Sequence, residues 1–182
     1  MIRLVSIGLA VSASLLMMAS CDEPVNQSQP MSDTAIGPER SDDDRVVYLY
    51  FSDNEHTVLM AEQRSLPAGI RSEEAGVRIM QALLEGPQQR LERTIPMETR
   101  LRGFYILKNR TAYVDLSSPI RDRHPGGARS ELLTIYSIVN TLAMNLVEIE
   151  TVKILIEGQE ATTLRGHMDL RFPLRPNLLY VR

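Results

Sequence analysis

"SEEAGVRIMQALLEGP", Ser72 to Pro87, carries the clearest hydrophobic period in the chain. Ile79, Met80, Leu83 and Leu84 recur at three- and four-residue spacing, which sets one apolar stripe along a helix. Ser72 suits an N-cap, and Glu73 and Glu74 suit the positive end of a helix dipole. Gly86 and Pro87 stop the run. An amphipathic helix needs an apolar surface to cover, so the segments around it are read for a sheet.

Upstream, "RVVYLYF" (45–51) is β-branched and aromatic and reads as a strand buried on both faces. "SDNEH" is a turn, and "TVLMAEQRSL" (57–66) a second, short strand before the break at Pro67-Ala68-Gly69. Downstream, "TRLRGFYILKN" (99–109) and "TAYVDLS" (111–117) form a hairpin turned at Lys108, Asn109 and Arg110. Ala112, Val114 and Leu116 face one way, Tyr113 and Asp115 the other. "RDRHPGG" (121–127) is a loop. A longer helix follows from Ala128 to Asn145, its apolar face made by Leu132, Ile135, Tyr136, Val139, Leu142 and Leu146. "ETVKILIEG" (150–158) is a strand with Val152, Ile154 and Ile156 on one side and Lys153 and Glu157 on the other. The tail "HMDLRFPLRP" (167–176) adds a short edge segment, since its prolines suit an edge. The order is strand, short strand, helix, hairpin, helix, strand. It predicts an α+β fold, a two-layer sandwich with two helices packed on one face of a mixed or antiparallel sheet. There is no internal repeat, so residues 45–182 are read as a single domain.

The amino terminus has a different character. Residues 1–20 hold one charge, Arg3, and the run Leu4–Met18 is apolar or small. This is the pattern of a secretory signal peptide. The run falls short of the ~20 residues a spanning helix needs. The only cysteine of the chain, Cys21, follows Met18-Ala19-Ser20. That stretch resembles a bacterial lipobox, with Met18 in place of the usual leucine. The resemblance implies a diacylglyceryl group on Cys21 and cleavage just before it. Two acyl chains give stable attachment where one gives marginal binding. Residues 22–44 are rich in Ser, Pro, Asp, Glu, Asn and Gln without period, so 21–44 reads as a lipidated cysteine and a disordered tether. In many two-membrane bacteria, lipoproteins with Asp after the cysteine resemble those kept on the inner membrane. Asp22 therefore points to the outer face of the cytoplasmic membrane.

Composition excludes several function classes. Removing residues 1–20, which carry Arg3 and no acid, takes the net charge from −3 to −4. A mildly acidic chain argues against a nucleic-acid partner. The absence of Trp and the few aromatics argue against a carbohydrate platform of stacked rings. With Cys21 lipidated, no thiol is left for a disulfide or a metal. Asp42, Asp43 and Asp44 are contiguous and lack the alternation, glycine turn and distal Glu of a calcium loop. His56, His124 and His167 are far apart and show no metal-ligand spacing. No metal and no cofactor is expected.

Two polar spots invite a functional reading. Ser117 near Asp115 suggests a hydrolase, but "VDLS" lacks the G-x-S-x-G elbow and no histidine is placed by a local motif. The plainer reading has both side chains accepting backbone hydrogen bonds where a strand turns into a loop. Asn140 and Thr141 sit inside a helix, where neither is favoured. They read either as a contact to a partner or, better, as a buried hydrogen bond from Asn140 to a neighbouring loop such as the one after Ser117. The basic group Arg90, Arg93, Arg100 and Arg102 is diluted by Glu92 and Glu98 and reads as ordinary solvated surface. "NRT" (109–111) matches a glycosylation sequon but is read as the hairpin turn.

The pieces "YLYF", "ALLEGP", "IPMETRL", "AYVDLS", "SIVNTL" and "VKILIEG" occur in this order between Val46 and Leu174. Together the chain resembles the GerMN domain, the sporulation and spore-germination module of bacterial envelope proteins, a relative of the ring-building-motif domains. The resemblance places the family's Gly-Pro on Gly86 and Pro87 and its proline on Pro96. Its Asp-x-Ser falls on Asp115 and Ser117, and its Asn-Thr-Leu on Asn140, Thr141 and Leu142. The stretch between Pro119 and Gly127 does not follow the pattern. Members are typically lipoproteins or secreted wall-associated proteins. The resemblance implies a non-catalytic interaction or scaffold role at the membrane–wall interface, with an envelope protein or a second copy as partner. Binding of peptidoglycan or a small ligand is the alternative. A hydrolase using Asp115, Ser117 and a histidine ranks last.

Overall fold

A computed structural model describes residues 44–182. The expected signal peptide, Cys21 and nearly all of the expected tether lie outside the described residues. Strand β1 (Asp44–Ser52) pairs antiparallel with β2 (Leu59–Pro67), and helix α1 (Ser72–Glu85) follows. The hairpin is β3 (Leu101–Ile106) and β4 (Thr111–Leu116). After the single turn α2 (Pro119–Asp122) come α3 (Ala128–Asn145), β5 (Thr151–Ile156), β6 (Gln159–Glu160) and a short 3-10 turn, Leu178–Tyr180. The fold is the α+β sandwich expected, and its sheet is mixed, because β4 and β5 run parallel. It is divided, however, into a two-stranded sheet β1-β2 and a four-stranded sheet β3-β4-β5-β6.

One apolar core joins the elements. Val47, Leu49 and Phe51 of β1, Ile79, Met80 and Leu83 of α1, and Ala112, Val114 and Leu116 of β4 meet in it. Ile135, Ile138, Val139 and Leu142 of α3 and Val152, Ile154 and Ile156 of β5 complete it. Helix α1 packs on β3, β1 and α3; α3 packs on β1 and β5. Gly76, an unfavourable residue mid-helix, makes the first of these contacts possible. A Cβ there would sit 2.2 Å from the Phe104 ring.

Several local expectations change. Ser72 is the first helical residue, with Arg71 at the cap position, and the Ser72 hydroxyl bonds the Glu148 carboxylate. Strand β1 is not buried on both faces throughout: Val46 and Tyr48 are exposed, and full burial begins at Leu49. Strand β2 is as long as β1. Helix α3 is buried over more of its circumference than one stripe, with Leu133 and Ile138 added and Leu132 and Tyr136 only partly covered. Leu133 joins Tyr50 and Leu59 in a second, smaller apolar cluster. The tail does more than edge the sheet. Leu174 bridges Val152, Leu164 and Leu170 enter the core, and Val181 bridges Leu59. Lys153, on the polar side of β5, is buried and donates to the carbonyls of Leu170 (3.1 Å) and Arg171.

Candidate functional site

The motif residues lie at junctions between elements. Asp115, near the end of β4, accepts from the Gly158 N–H (2.7 Å) and from Arg102 Nε (3.1 Å). Arg102 also pairs with Glu157, whose carboxylate accepts from the Ser118 N–H at 2.7 Å. Glu157 and Gly158 both have positive φ in the β5–β6 turn. A non-glycine residue in that region is uncommon. Here the bonds from Ser118 and Arg102 hold it. Ser117 Oγ accepts from the Arg100 N–H (2.8 Å), tying the β4 exit to the β3 entry. Among the described residues no histidine bonds Ser117.

Gly86, with φ of 94°, ends α1, and its carbonyl accepts from Arg64 at 2.9 Å. A Cβ at Gly86 would fall 2.5 Å from the Arg93 guanidinium, which donates to the terminal carbonyls of Leu84 and Glu85. The loop after Pro87 is clasped by Glu62 of β2, a buried carboxylate that accepts from the N–H groups of Gln88 (3.0 Å) and Gln89 (2.7 Å) and pairs with Arg64. Pro96 receives the Thr99 N–H at 3.0 Å. Arg93 and Arg102 are thus engaged in structure, although Arg102 stays exposed on the solvated surface.

Asn140 and Thr141 are fully buried, as is Leu142 in the core. Asn140 exchanges two hydrogen bonds with the backbone of Asn177, at 2.8 and 2.9 Å. Its partner is therefore the carboxy-terminal segment, not the loop after Ser117. Thr141 Oγ1 accepts from the Tyr50 N–H (3.1 Å), and Asn145 bonds both the N–H and the carbonyl of Tyr48. Helix side chains thereby meet three outward main-chain groups of β1, the Tyr48 N–H and carbonyl and the Tyr50 N–H.

Besides Glu62 and Lys153, two more titratable groups, Glu131 and His124, are buried. Glu131, in the first turn of α3, accepts from the N–H groups of Leu164, His167 and Met168 and from His167 Nδ1, each at 3.0 Å. Burial pushes its pKa up, but these donors outweigh burial and hold it below the usual 4.5. His124 Nδ1 accepts from the Gly126 N–H (3.0 Å), so Nε2 carries the proton and donates to Thr134 Oγ1 (2.9 Å), which donates to the Thr94 carbonyl. Burial lowers the His124 pKa below 6.5 against the opposing pull of Glu131. The acid of "RSELL" sits three residues into a helix that lacks a side-chain cap, which is the one sequence-level hint for Glu131.

The surface has open depressions. One, of about 240 Å³, is lined by His56, Thr94, Pro96, Met97, Arg123 and Ser130, among others. Another, of about 330 Å³, lies between β1 and the end of α3. Among the described residues no cluster of His, Cys, Asp or Glu could hold a metal, and no helix is long and apolar enough to cross a membrane.

Fold and junctions together define a small α+β domain in which the residues singled out in the sequence sit at loop clasps and helix–strand contacts. The chain belongs to the Germane family, described as sporulation and spore germination, which matches residues 48–162. A solved candidate lipoprotein from Clostridium perfringens is 27% identical, with a TM-score of 0.54 over 72% of this chain and 87% of that one. The first GerMN domain of the sporulation protein GerM from Bacillus subtilis is 20% identical, with a TM-score of 0.53 over 73% of this chain and 96% of that one. The tandem GerMN domains of the same protein give 20% identity and a TM-score of 0.52, covering 74% of this chain and 46% of theirs. These last two share the fold. No curated protein matches the chain.

Proposed function

We propose that this chain is a bacterial envelope lipoprotein whose single domain is a non-catalytic protein-interaction module at the membrane–wall interface. In this reading residues 1–20 are a signal peptide, Cys21 carries the lipid, and the tether holds residues 45–182 at the outer face of the cytoplasmic membrane. Family membership and the 27% identity to a candidate lipoprotein support the envelope location. The observation that carries the interaction role is the open edge of β2. Ser52 bonds Glu92, and Leu59 bonds Arg182, so the Ser52–Leu59 pair points its main-chain groups away from the hairpin interior. In an antiparallel pair the pattern alternates. Ala61, Gln63 and Ser65 therefore aim their N–H and C=O groups outward, and all three residues are exposed. No partner for these groups occurs among the described residues. An unpaired edge is a template for strand addition by an envelope protein or a second copy.

The test is crosslinking and pull-down from membranes with native lipidation, comparing the wild type with Gln63→Pro. Proline removes one outward N–H and blocks strand addition while leaving the β1 ladder intact. The wild type should capture a protein partner or itself, and the variant should not. Capture of wall fragments alone would replace this reading with ligand binding in the His56–Arg123 depression. Processing is tested separately. Cys21→Ala should leave an unprocessed precursor without lipid label, and normal maturation of that variant overturns the anchor.

A further inference from the structure

The groove between β1 and the end of α3 presents an apolar surface at the point where the chain enters the fold. It is lined by Val46, Tyr48, Met144 and Val147, with Arg45, Asn145 and Glu148. Val147 is 81% exposed, and the other three apolar side chains are each 42–48% exposed. Its polar lining already has partners inside the protein. Asn145 is bonded to Tyr48 and to the Thr141 carbonyl, Arg45 to the Asn145 carbonyl, and Glu148 to Ser72. What remains on offer to a neighbour is mainly apolar, with the exposed Glu148 carboxylate beside it. At its rim Arg110 donates to the Val147 carbonyl at 2.5 Å while its side chain stays half exposed.

Position identifies the occupant. β1 starts at Asp44, so the groove begins one residue beyond the described start of the chain. If Cys21 is lipidated, the 23 residues 22–44 separate the anchor from the groove, a reach of at most about 80 Å. The groove then lies within one tether length of the bilayer, at an effective concentration on the order of millimolar. Four apolar side chains fall well short of the ~20–30 residues a side of a standard protein interface. They suffice for weak interfacial insertion when a tether supplies the proximity.

We propose that this groove is a bilayer-docking face: Val46, Tyr48, Met144 and Val147 enter the headgroup–acyl boundary of a membrane, while Arg45 and Arg110 keep their partners, the Asn145 carbonyl and Glu150, within the protein. Docking lays the domain on the membrane with α3 pointing away from it. The proposal rests on the lipid-anchor reading above, and its test supplies the anchor artificially so that the two can fail separately.

The test uses residues 21–182, which contain the whole described core, with Cys21→Ser and an amino-terminal hexahistidine held by nickel-chelating lipid. The vesicles are phosphatidylglycerol and phosphatidylcholine. A nitrobenzoxadiazole label goes on Val147→Cys or, as control, on Ala128→Cys, about 24 Å away at the other end of α3. The label at 147 should shift to the blue and brighten on the vesicles. The label at 128 should stay water-like, and adding Met144→Asp should abolish the shift at 147. Water-like emission at 147 on the vesicles overturns docking. So does a blue shift that appears without vesicles and grows with protein concentration, which would assign the groove to a second copy. Whether cells lipidate Cys21 is read independently by the Cys21→Ala precursor.

Discussion

At the scale of single residues, Gly76 decides how closely α1 approaches the hairpin. Its lack of a side chain lets the Phe104 ring lie where a Cβ would be. Gly76→Ala would raise helix propensity by about 1 kcal/mol in an open position. Here the ring must move, and overpacking costs typically ~1–3 kcal/mol. The clash should win. The variant should unfold at lower urea concentration than the wild type, and Phe104→Leu in the same chain should recover part of the loss. Thr99 gives the opposite expectation. Its hydroxyl is buried and, among the described residues, has no hydrogen-bond partner. Thr99→Val keeps the shape and removes a desolvated polar group, which is worth about 1 kcal/mol or more. A rise in Tm is expected, and a fall would mean that a bound water satisfies the hydroxyl.

At the scale of elements, α3 is both a core helix and the cover of a strand edge. A two-stranded sheet leaves half of each strand's main-chain groups unpaired. On β1 the outward groups of Tyr48 and Ser52 and the Tyr50 N–H are met by Asn145, Glu92 and Thr141. Thr141→Val keeps the packing but leaves the Tyr50 N–H without its acceptor, at a cost of ~1–3 kcal/mol. Chemical denaturation should register that loss, and amide exchange should quicken at Tyr50 while the core strand β4 stays protected. Unchanged exchange at Tyr50 would show that the bond contributes nothing. This double duty explains how much of the fold could be read from the sequence. The bounds of α1 and α3 and the β3–β4 hairpin follow from local periods and a turn, so they were legible. The division into two sheets was not, because it depends on which strand lies beside which, and periodicity names faces but not neighbours. Asn140 and Thr141 stood out as polar residues in a helix. Their partners, Asn177 and Tyr50, lie 37 and 91 positions away. Glu62, Glu131 and Lys153 were missed for the same reason: a charged residue in an otherwise regular pattern looks solvated until a distant loop covers it.

At the scale of the whole molecule, two buried ionisable groups fasten loops to α3, and this gives the domain a directional response to pH. His124 fastens the loop before α3 to Thr134 in its neutral form, with a folded pKa below 6.5. The unfolded chain therefore binds more protons than the folded one as pH falls below 6.5, so stability is full above that value and declines below it. Glu131 fastens the loop 164–168 as a carboxylate, with a folded pKa below 4.5. Its contribution is full above 4.5 and is lost as pH falls further. Both losses run toward acid but begin in different windows. Denaturation midpoints measured across pH should be level above 6.5, fall below it, and fall more steeply below 4.5. His124→Gln keeps a hydrogen-bonding group and cannot become charged. Whatever it costs in absolute stability, its profile should stay level down to about 4.5. Parallel profiles for the two proteins would remove His124 as the source of the first limb. In that case the neutral ring, its bond from Gly126 and its bond to Thr134 would serve packing alone, and acid sensitivity would begin with Glu131.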